Sequence, residues 1–357
     1  MRRSNISFPY LMLLISFPSM AMGMLIYPEQ TVNASLTAIA IWWDILFPAL
    51  FPFFVMTELM LGLGIVHCLA TLMDPLMKPL FRVSGSGGFV MAMGFASGYP
   101  VGAKLSSELW HAGLLGKKEC QRLIAFTTTA DPIFLIGAVS IGFFHDISLA
   151  PLIASAHYGG ALVLGIVMRW ADSGEQSISA IHPPMRQPRG QTILQRAFIA
   201  MHSARIKDGR SVGTLLFDGI RNGLKLIIVI GGLVTFFSVM IQLLTQWHVF
   251  SGLQFIFGAL LALLQIPSAI ATPLVNGIFE VTLGASLAGN LDQVIPLQYK
   301  VAIASFVLAW AGFSVHAQIM SLVAPIQLKY LPFAIAKLVH GVIAALISYL
   351  MWDIFKV

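Results

Sequence analysis

The sequence predicts an all-α polytopic membrane protein built from two inverted repeats, each with a re-entrant helical hairpin. The chain of 357 residues is 57% hydrophobic and only 10% charged, whereas a soluble domain carries about 25% charged residues. It contains several apolar stretches of about 20 residues, the length that crosses a bilayer. Two further apolar stretches are interrupted by glycine, proline and polar residues. These features together make the lipid bilayer the expected surroundings of the chain.

Seven segments are long and apolar enough to be full spans. They are residues 8–27, 36–69, 122–144, 149–169, 214–245, 297–325 and 331–352. The first follows Arg2 and Arg3 and resembles a signal peptide, but we expect a retained span or signal anchor within residues 1–30. The second contains Pro48 and Pro52. Because proline removes a backbone donor and clashes with the preceding turn, we expect a kinked or divided helix there.

Two apolar segments, 88–113 and 254–290, do not fit as simple spans. Each has a helix-breaking centre between apolar arms, and arms of about ten residues are too short to cross a membrane alone. Irregular backbone at membrane depth is tolerated only where it is buried in protein or lines a wet cavity. We therefore expect two hairpins of half-helices, each with its tip near the middle of the membrane.

The basic residues predict the orientation of the chain. Segment 170–213 carries six lysines and arginines, which is typical of a cytoplasmic connection. Arg2 and Arg3 place the N-terminus on the same side of a cytoplasmic (inner) membrane. We expect a first repeat over 36–170, a basic linker over 171–213, and a second repeat over 214–352. The linker could be a disordered connection or could contain an amphipathic helix on the inner membrane surface. The net charge of +6 is thus explained without a nucleic-acid partner.

The two halves of the chain resemble each other. "SGYPVGAKLSS" (97–107) aligns with "FEVTLGASLAG" (279–289), and "FTTTADPIFLIGAVS" (126–140) falls opposite "LAWAGFSVHAQIMS" (308–321). The order of broken span, hairpin, span with a polar centre and plain span occurs twice, in opposite orientation. Inverted repeats with interrupted helices are typical of secondary transporters, in which the interruptions mark the substrate site.

Four motifs make the resemblance to a family specific. "LFPALFPFFV", "GFASGYPVGAK", "KKECQRLIAFTTTADPIFLIGAV" and "FEVTLGA" resemble the sporulation integral membrane protein YlbJ family. That family belongs to the wider group with nucleoside-recognition (Gate) domains, related to the membrane part of ferrous iron transporters. The resemblance covers about residues 40–350. It implies a fold similar to concentrative nucleoside transporters and, as substrate, dipicolinic acid moved from mother cell toward forespore.

The chain departs from the family pattern at Asp131, before "PIFLIGAV", where family members usually have small neutral residues. A carboxylate at that depth would repel a dianion unless it is protonated or ion-paired. A substrate other than dipicolinate, such as a nucleoside-like solute, therefore stays open.

The polar residues at the interruptions are the candidate substrate site. They are Ser97, Gly98, Tyr99, Pro100, Gly102 and Lys104 in the first hairpin, Asn276, Glu280 and Thr282 in the second, and Thr128, Thr129, Ser314 and Gln318 at the polar centres. Backbone N–H groups at a half-helix N-terminus attract anions, although glycines there could serve close helix packing alone. Lys104 could pair with an anionic substrate or with Asp131, or could extend toward the cytoplasm.

Three ionisable residues are candidates for coupling to an ion. Ionisable groups inside a membrane are costly and are usually functional. Asp131 and Glu280 could bind H⁺ or Na⁺, and His316 could take a proton or form a hydrogen bond between helices. No other cofactor is expected, and no metal-ligand spacing occurs.

Composition and motifs favour a carrier over an enzyme. We find no nucleophile–base pair, and "SGSGGF" (84–89) lacks the strand that a nucleotide-binding loop requires. The leading hypothesis is a secondary transporter for a small polar organic solute, with an anionic one favoured, in which one hairpin-bearing group moves against the other. The alternative is a non-transporting membrane assembly or partner protein for sporulation or envelope function. The oligomeric state stays open and includes a homo-oligomer.

Overall fold

The computed structural model describes residues 8–83, 86–111, 113, 115–170 and 192–355, and every regular element within them is a helix. In chain order the α-helices are α1 (Phe8–Ile26), α2 (Pro28–Ile41), α3 (Phe47–Gly62), α4 (Ile65–Phe81), α5 (Ser86–Ser97), α6 (Tyr99–His111), α7 (Lys117–Thr127), α8 (Ala150–Met168), α9 (Ile193–Asp208), α10 (Val212–Gln246), α11 (Val249–Leu263), α12 (Ala271–Phe279), α13 (Val281–Gly289), α14 (Leu297–Trp310), α15 (Gly312–Leu322), α16 (Tyr330–Leu350) and α17 (Trp352–Phe355). One π-helix, Trp42–Leu46, joins α2 to α3, and a second, Phe134–Phe143, follows α7.

Five helical stretches among the described residues are long and apolar enough to cross a membrane. They are Pro28–Gly62, Ile147–Met168, Val212–Gln246, Leu297–Leu322 and Tyr330–Leu350. The prediction of an all-α polytopic membrane protein is therefore confirmed.

The predicted span 36–69 belongs to two helices. α2, the π-helix and α3 form one continuous stretch that ends at Gly62, and α4 begins at Ile65. The chain turns between them at Gly64, whose φ of +78° is a backbone conformation that favours glycine. The expected distortion near Pro48 takes the form of the π-helix, which ends two residues before that proline. There the indole N–H of Trp42 donates a 2.8 Å hydrogen bond to the Ile227 carbonyl of α10.

The second predicted hairpin, 254–290, is too long. α11 is a separate helix, and the two half-helices are α12 and α13, which meet at Glu280. The chain turns between α11 and α12 at Gln265, which has a φ of +59°, and Pro267 follows it. The first hairpin, α5–α6, breaks at Gly98 as predicted, and α4 precedes it as α11 precedes the second.

Two predicted continuous spans are broken in the structure. Span 122–144 consists of α7 and the second π-helix, separated by the non-helical residues 128–131. Span 297–325 consists of α14 and α15, separated at Ala311, whose φ is +76°. We call these two interruptions the first break and the second break. Each lies on the element that follows a hairpin, so the same order of elements occurs in both halves.

Part of the predicted linker is helical. α9 starts at a capping box in which the Thr192 hydroxyl accepts from the Gln195 N–H and the Gln195 side chain accepts from the Thr192 N–H. Leu194 and Phe198 are more than half exposed, as expected for a helix that meets lipid. Residues 171–191 of the predicted linker lie outside the described residues.

Candidate functional site

The tip of the first hairpin lies against the first break. Gly98 has a φ of +88°, and a methyl group at this position would lie 3.2 Å from Asp131 Oδ2. On the two arms of the hairpin, Gly94 and Gly102 pack on Thr127, the last residue before the break. The absence of side chains at these three glycines brings the hairpin close enough to place its tip beside Asp131.

The second hairpin repeats this relationship with the second break. Gly312 has a φ of +75°, and a methyl group there would lie 2.9 Å from the Val281 nitrogen and 3.2 Å from Glu280 Cα. The indole N–H of Trp310 donates a 3.0 Å hydrogen bond to the Ile278 carbonyl of α12. The tip of each hairpin is thus held in the break that follows it.

Both tips, the first break and α15, the helix that follows the second break, line one cavity of about 90 Å³. The first half of the chain contributes Ser97, Gly98, Tyr99, Pro100 and Asp131, and the second half contributes Glu280, Thr282, Ser314 and Gln318. The remaining lining is apolar and comes mainly from Leu50 and Phe54 of α3 and from α10. A polar face built by the two halves therefore meets an apolar wall of α3 and α10.

The two carboxylates of the cavity have matching roles in the two halves. Asp131 Oδ1 accepts the Phe134 N–H at 2.8 Å, and Glu280 Oε2 accepts the Leu283 N–H at 2.8 Å. Asp131 is 7% exposed and Glu280 is 3% exposed. Each caps the helix that begins after it, so the N-terminus of that helix stabilises its negative charge. Within the described part of the chain neither carboxylate takes part in an ion pair.

Two hydroxyl groups at the first tip differ in their partners. The Ser97 hydroxyl is buried and has no hydrogen-bond partner among the described residues, although it lies on the cavity. The Tyr99 hydroxyl donates a 2.9 Å hydrogen bond to the Leu308 carbonyl of α14. Ser97 is therefore available to a solute, whereas Tyr99 connects the two halves of the protein.

Several predicted site residues do not line the cavity. Lys104 is exposed, and Gly102 packs on Thr127. The Thr128 and Thr129 hydroxyls donate to the carbonyls of Ile124 and Gly94, and the Asn276 amide donates to the Thr272 carbonyl. His316 donates to the Trp310 carbonyl at 2.8 Å and lies 3.1 Å from the Tyr330 hydroxyl. Apart from Lys104 and Gly102, these residues support the hairpins and breaks with side-chain hydrogen bonds to the main chain.

Sequence reasoning missed a buried polar cluster behind the first break. It consists of His157 and Tyr158 of α8 and Lys337 and His340 of α16. The available signal was Lys337 with His340 three residues later in an apolar span, because ionisable groups at membrane depth are usually functional.

The comparisons with known proteins agree with this architecture. Residues 44–146 match the Gate family model, described as nucleoside recognition. The fold is similar to that of CNTnw in an inward-facing substrate-bound state, with a TM-score of 0.54 and 11% identity over 95% of this chain and 84% of that one. A CNTnw variant in an outward-facing state gives a TM-score of 0.52 at 11% identity with the same coverage. At this identity the similarity is one of fold.

One curated relative places the chain in a family. Over 326 residues the chain is 38% identical to the sporulation integral membrane protein YlbJ of Bacillus subtilis (strain 168). The aligned residues are 91% of this chain and 78% of that protein. Two of the motifs quoted above, "GFASGYPVGAK" and "FEVTLGA", form the tips of the two hairpins. The chain is a multi-pass integral membrane protein of the YlbJ family.

Proposed function

We propose that the protein is a secondary transporter that carries a small polar organic solute across the cytoplasmic membrane by alternating access. The solute class is an anionic, dipicolinate-like dicarboxylate or a nucleoside-like molecule. The observation that supports this proposal is the cavity at which both hairpin tips, the first break and α15 present polar groups. Interrupted helices that meet at one cavity are the usual construction of a transporter binding site.

Alternating access requires one part of the protein to move against another. The hydrogen bond from Tyr99 to the Leu308 carbonyl holds the two hairpin-bearing groups together. The wall of α3 and α10 presents mainly apolar side chains to them. We therefore infer that both hairpin groups move together against this wall, instead of moving against each other as the sequence suggested.

The two carboxylates support coupling to a cation. Asp131 and Glu280 would repel an anionic solute if both were ionised. Binding of H⁺ or Na⁺ together with the solute removes this repulsion and links solute movement to an ion gradient. A neutral solute with hydroxyl or amide donors needs no such compensation, because a carboxylate can accept its hydrogen bonds directly.

A ligand-dependent thermal-shift experiment on the purified protein tests the proposal. Dipicolinate and uridine are titrated separately, each with and without Na⁺ and at two pH values. We expect one of the two to raise the melting temperature of the wild type and to lose this effect in Glu280→Gln. Glu119→Gln is the matched control, because Glu119 is also buried and also caps a helix but does not line the cavity. A shift that is equal in the wild type and Glu280→Gln would contradict the proposal.

A further inference from the structure

The main chain of the first break is held by side chains from two other helices. Lys337 donates a 2.6 Å hydrogen bond to the Thr128 carbonyl. The Ala130 N–H donates to His157 Nε2 at 3.0 Å, and the Tyr158 hydroxyl donates to the Ala130 carbonyl at 2.9 Å. A break deprives main-chain groups of their helical partners, and buried polar groups need replacements. Side chains of α8 and α16 supply three of them.

Lys337 is the unusual member of this set. Its side chain is fully buried, with 0% exposure. Its second partner is His340 Nδ1 at 3.2 Å, and within the described residues it forms no ion pair with a carboxylate. Burying an ammonium group without a counter-ion is costly. An apolar side chain would serve better if packing between helices were the only requirement.

His340 and Gly160 hold α16 firmly against α8. His340 Nε2 donates a 2.9 Å hydrogen bond to the His157 carbonyl. Gly160 permits this approach, since a methyl group there would lie 3.2 Å from His340 Cδ2. Lys337 therefore extends from a helix that is fixed against α8. The position of its ammonium group is set by α16 and does not depend on the break.

The second break lacks a lysine at the corresponding place. The Trp310 carbonyl is held by His316, which in turn contacts Tyr330 at the start of α16. One helix, α16, thus contributes to the support of both breaks, but among the described residues only the first break receives an ammonium group. That break contains Asp131, three residues after Thr128, whereas the carboxylate of the second half lies on the hairpin tip.

We propose that Lys337 is a positioning residue: its ammonium group binds the Thr128 carbonyl, fixes the first break and keeps Asp131 turned toward the cavity. The importance of this placement for transport rests on the function proposed above. The placement of Asp131 by Lys337 does not depend on that function, and it can be measured without any solute.

Hydrogen–deuterium exchange of the full-length protein in lipid nanodiscs tests the placement directly. The variants are Lys337→Met, which removes the ammonium group, and Lys337→Gln, which retains a shorter neutral donor. Lys300→Met is the matched control, because Lys300 is also buried and donates a 2.5 Å hydrogen bond to the main-chain carbonyl of Leu291. Carbodiimide labelling of Asp131, measured relative to Glu280 by mass spectrometry, reports on the carboxylate itself.

We expect Lys337→Met to raise exchange of the peptide over residues 126–135 by about tenfold, the effect of losing one net hydrogen bond from a local opening reaction. Lys337→Gln should lie between Lys337→Met and the wild type. Peptides from α3 and α10 should keep their rates, and labelling of Asp131 should change several-fold while that of Glu280 stays constant. Lys300→Met should leave both readouts unchanged.

If residues 126–135 exchanged at the wild-type rate in either variant, the proposal would be overturned. An equal rise throughout the protein, or failure of both variants to fold, would also overturn it, since each indicates a general structural role. If the variants behave as expected but neither dipicolinate nor uridine binds the wild type, the positioning role stands and the proposed function fails.

Discussion

Tyr99, at the tip of the first hairpin, donates a hydrogen bond of 2.9 Å to the main-chain carbonyl of Leu308, two residues before the end of α14. The two residues are 209 positions apart in the chain and belong to different halves of the molecule. This bond joins the first hairpin to the element that carries the second break. It is the main reason to treat the polar face of the cavity as one unit.

Replacing Tyr99 with phenylalanine tests this connection. The variant retains the ring but leaves the buried Leu308 carbonyl without this donor, which should cost about 1 kcal/mol of unfolding free energy. Tyr27→Phe is the control, because Tyr27 lies in the turn between α1 and α2 and does not line the cavity. Thermal unfolding of the two purified variants gives the answer. Equal melting temperatures for Tyr99→Phe and Tyr27→Phe would show that the bond contributes nothing.

The close fit of the second tip predicts that Gly312→Ala is poorly tolerated. Gly312 and Gly113 both have positive φ, of +75° and +68°, so alanine at either position should cost about 1–2 kcal/mol through backbone strain. A methyl group added at Gly312 would have backbone atoms of the second tip within 3.2 Å, whereas one added at Gly113 would have no atom of the described residues within 4 Å apart from its chain neighbours. We therefore expect Gly312→Ala to lose about 1–3 kcal/mol more, from overpacking. A similar fall in melting temperature in both variants would mean that the tip does not occupy the break.

We expect the replacement of Ser97 by alanine to weaken solute binding without changing the stability of the protein. The Ser97 hydroxyl has no partner among the described residues, so Ser97→Ala should leave the melting temperature unchanged. A bound solute that uses this hydroxyl should bind roughly three- to tenfold more weakly to the variant, which corresponds to one hydrogen bond. Ser106→Ala is the control, since the Ser106 hydroxyl is also buried and without a partner among those residues but lies outside the cavity. Unchanged affinity in Ser97→Ala would exclude the hydroxyl from the site.

An ion-pair network centred on Arg210, in the turn between α9 and α10, predicts a pH-dependent stability. Arg210 lies 2.7 Å from Asp208, 2.9 Å from Asp218 and 3.2 Å from Glu58, and so ties the turn between α9 and α10 to α3. Hydrogen bonds from Arg210 hold the pKa of the Asp208 carboxyl below its ordinary value. A lowered pKa stabilises the fold at neutral pH, and this stabilisation is lost as the pH falls through that lowered value.

Arg210→Met should therefore be less stable than the wild type by about 1 kcal/mol at neutral pH. The difference should stay constant from about pH 8 to about pH 5 and shrink only below about pH 4. Arg221→Met is the control, because Arg221 is 57% exposed and lies 3.8 Å from Asp218. Unfolding measured across this range checks the prediction, and a difference that grows as the pH falls would contradict it.

The two tips could be predicted from sequence because their residues are unusual in an apolar setting. Gly98 and Glu280 interrupt stretches that are otherwise compatible with a membrane helix, and the structure places the ends of half-helices at both. The second hairpin was given the wrong limits because α11 and α12 are both apolar. Only the short turn at Gln265 and Pro267 separates them, and it resembles the interruption of a single hairpin.

The breaks could not be predicted because tertiary contacts create them. Residues 128–131 include the last two of three consecutive threonines and precede Pro132, a pattern that a kinked but continuous helix also accommodates. The first break depends on Lys337 and His157, which are distant in sequence and whose bonds to the main chain replace those of a helix. Lys104 was expected at the site because it follows the tip directly, but its position on α6 exposes it.

Solute counterflow into proteoliposomes tests the central claim most directly. Labelled dipicolinate and labelled uridine are offered to vesicles preloaded with the same unlabelled compound and containing the wild type, Glu280→Gln or Glu119→Gln. The cavity between the two tips predicts saturable exchange of one compound by the wild type and by Glu119→Gln, and its loss in Glu280→Gln. Exchange that is unchanged in Glu280→Gln, or an absence of exchange for both compounds in the wild type, would contradict the account of this protein as a carrier of these solutes.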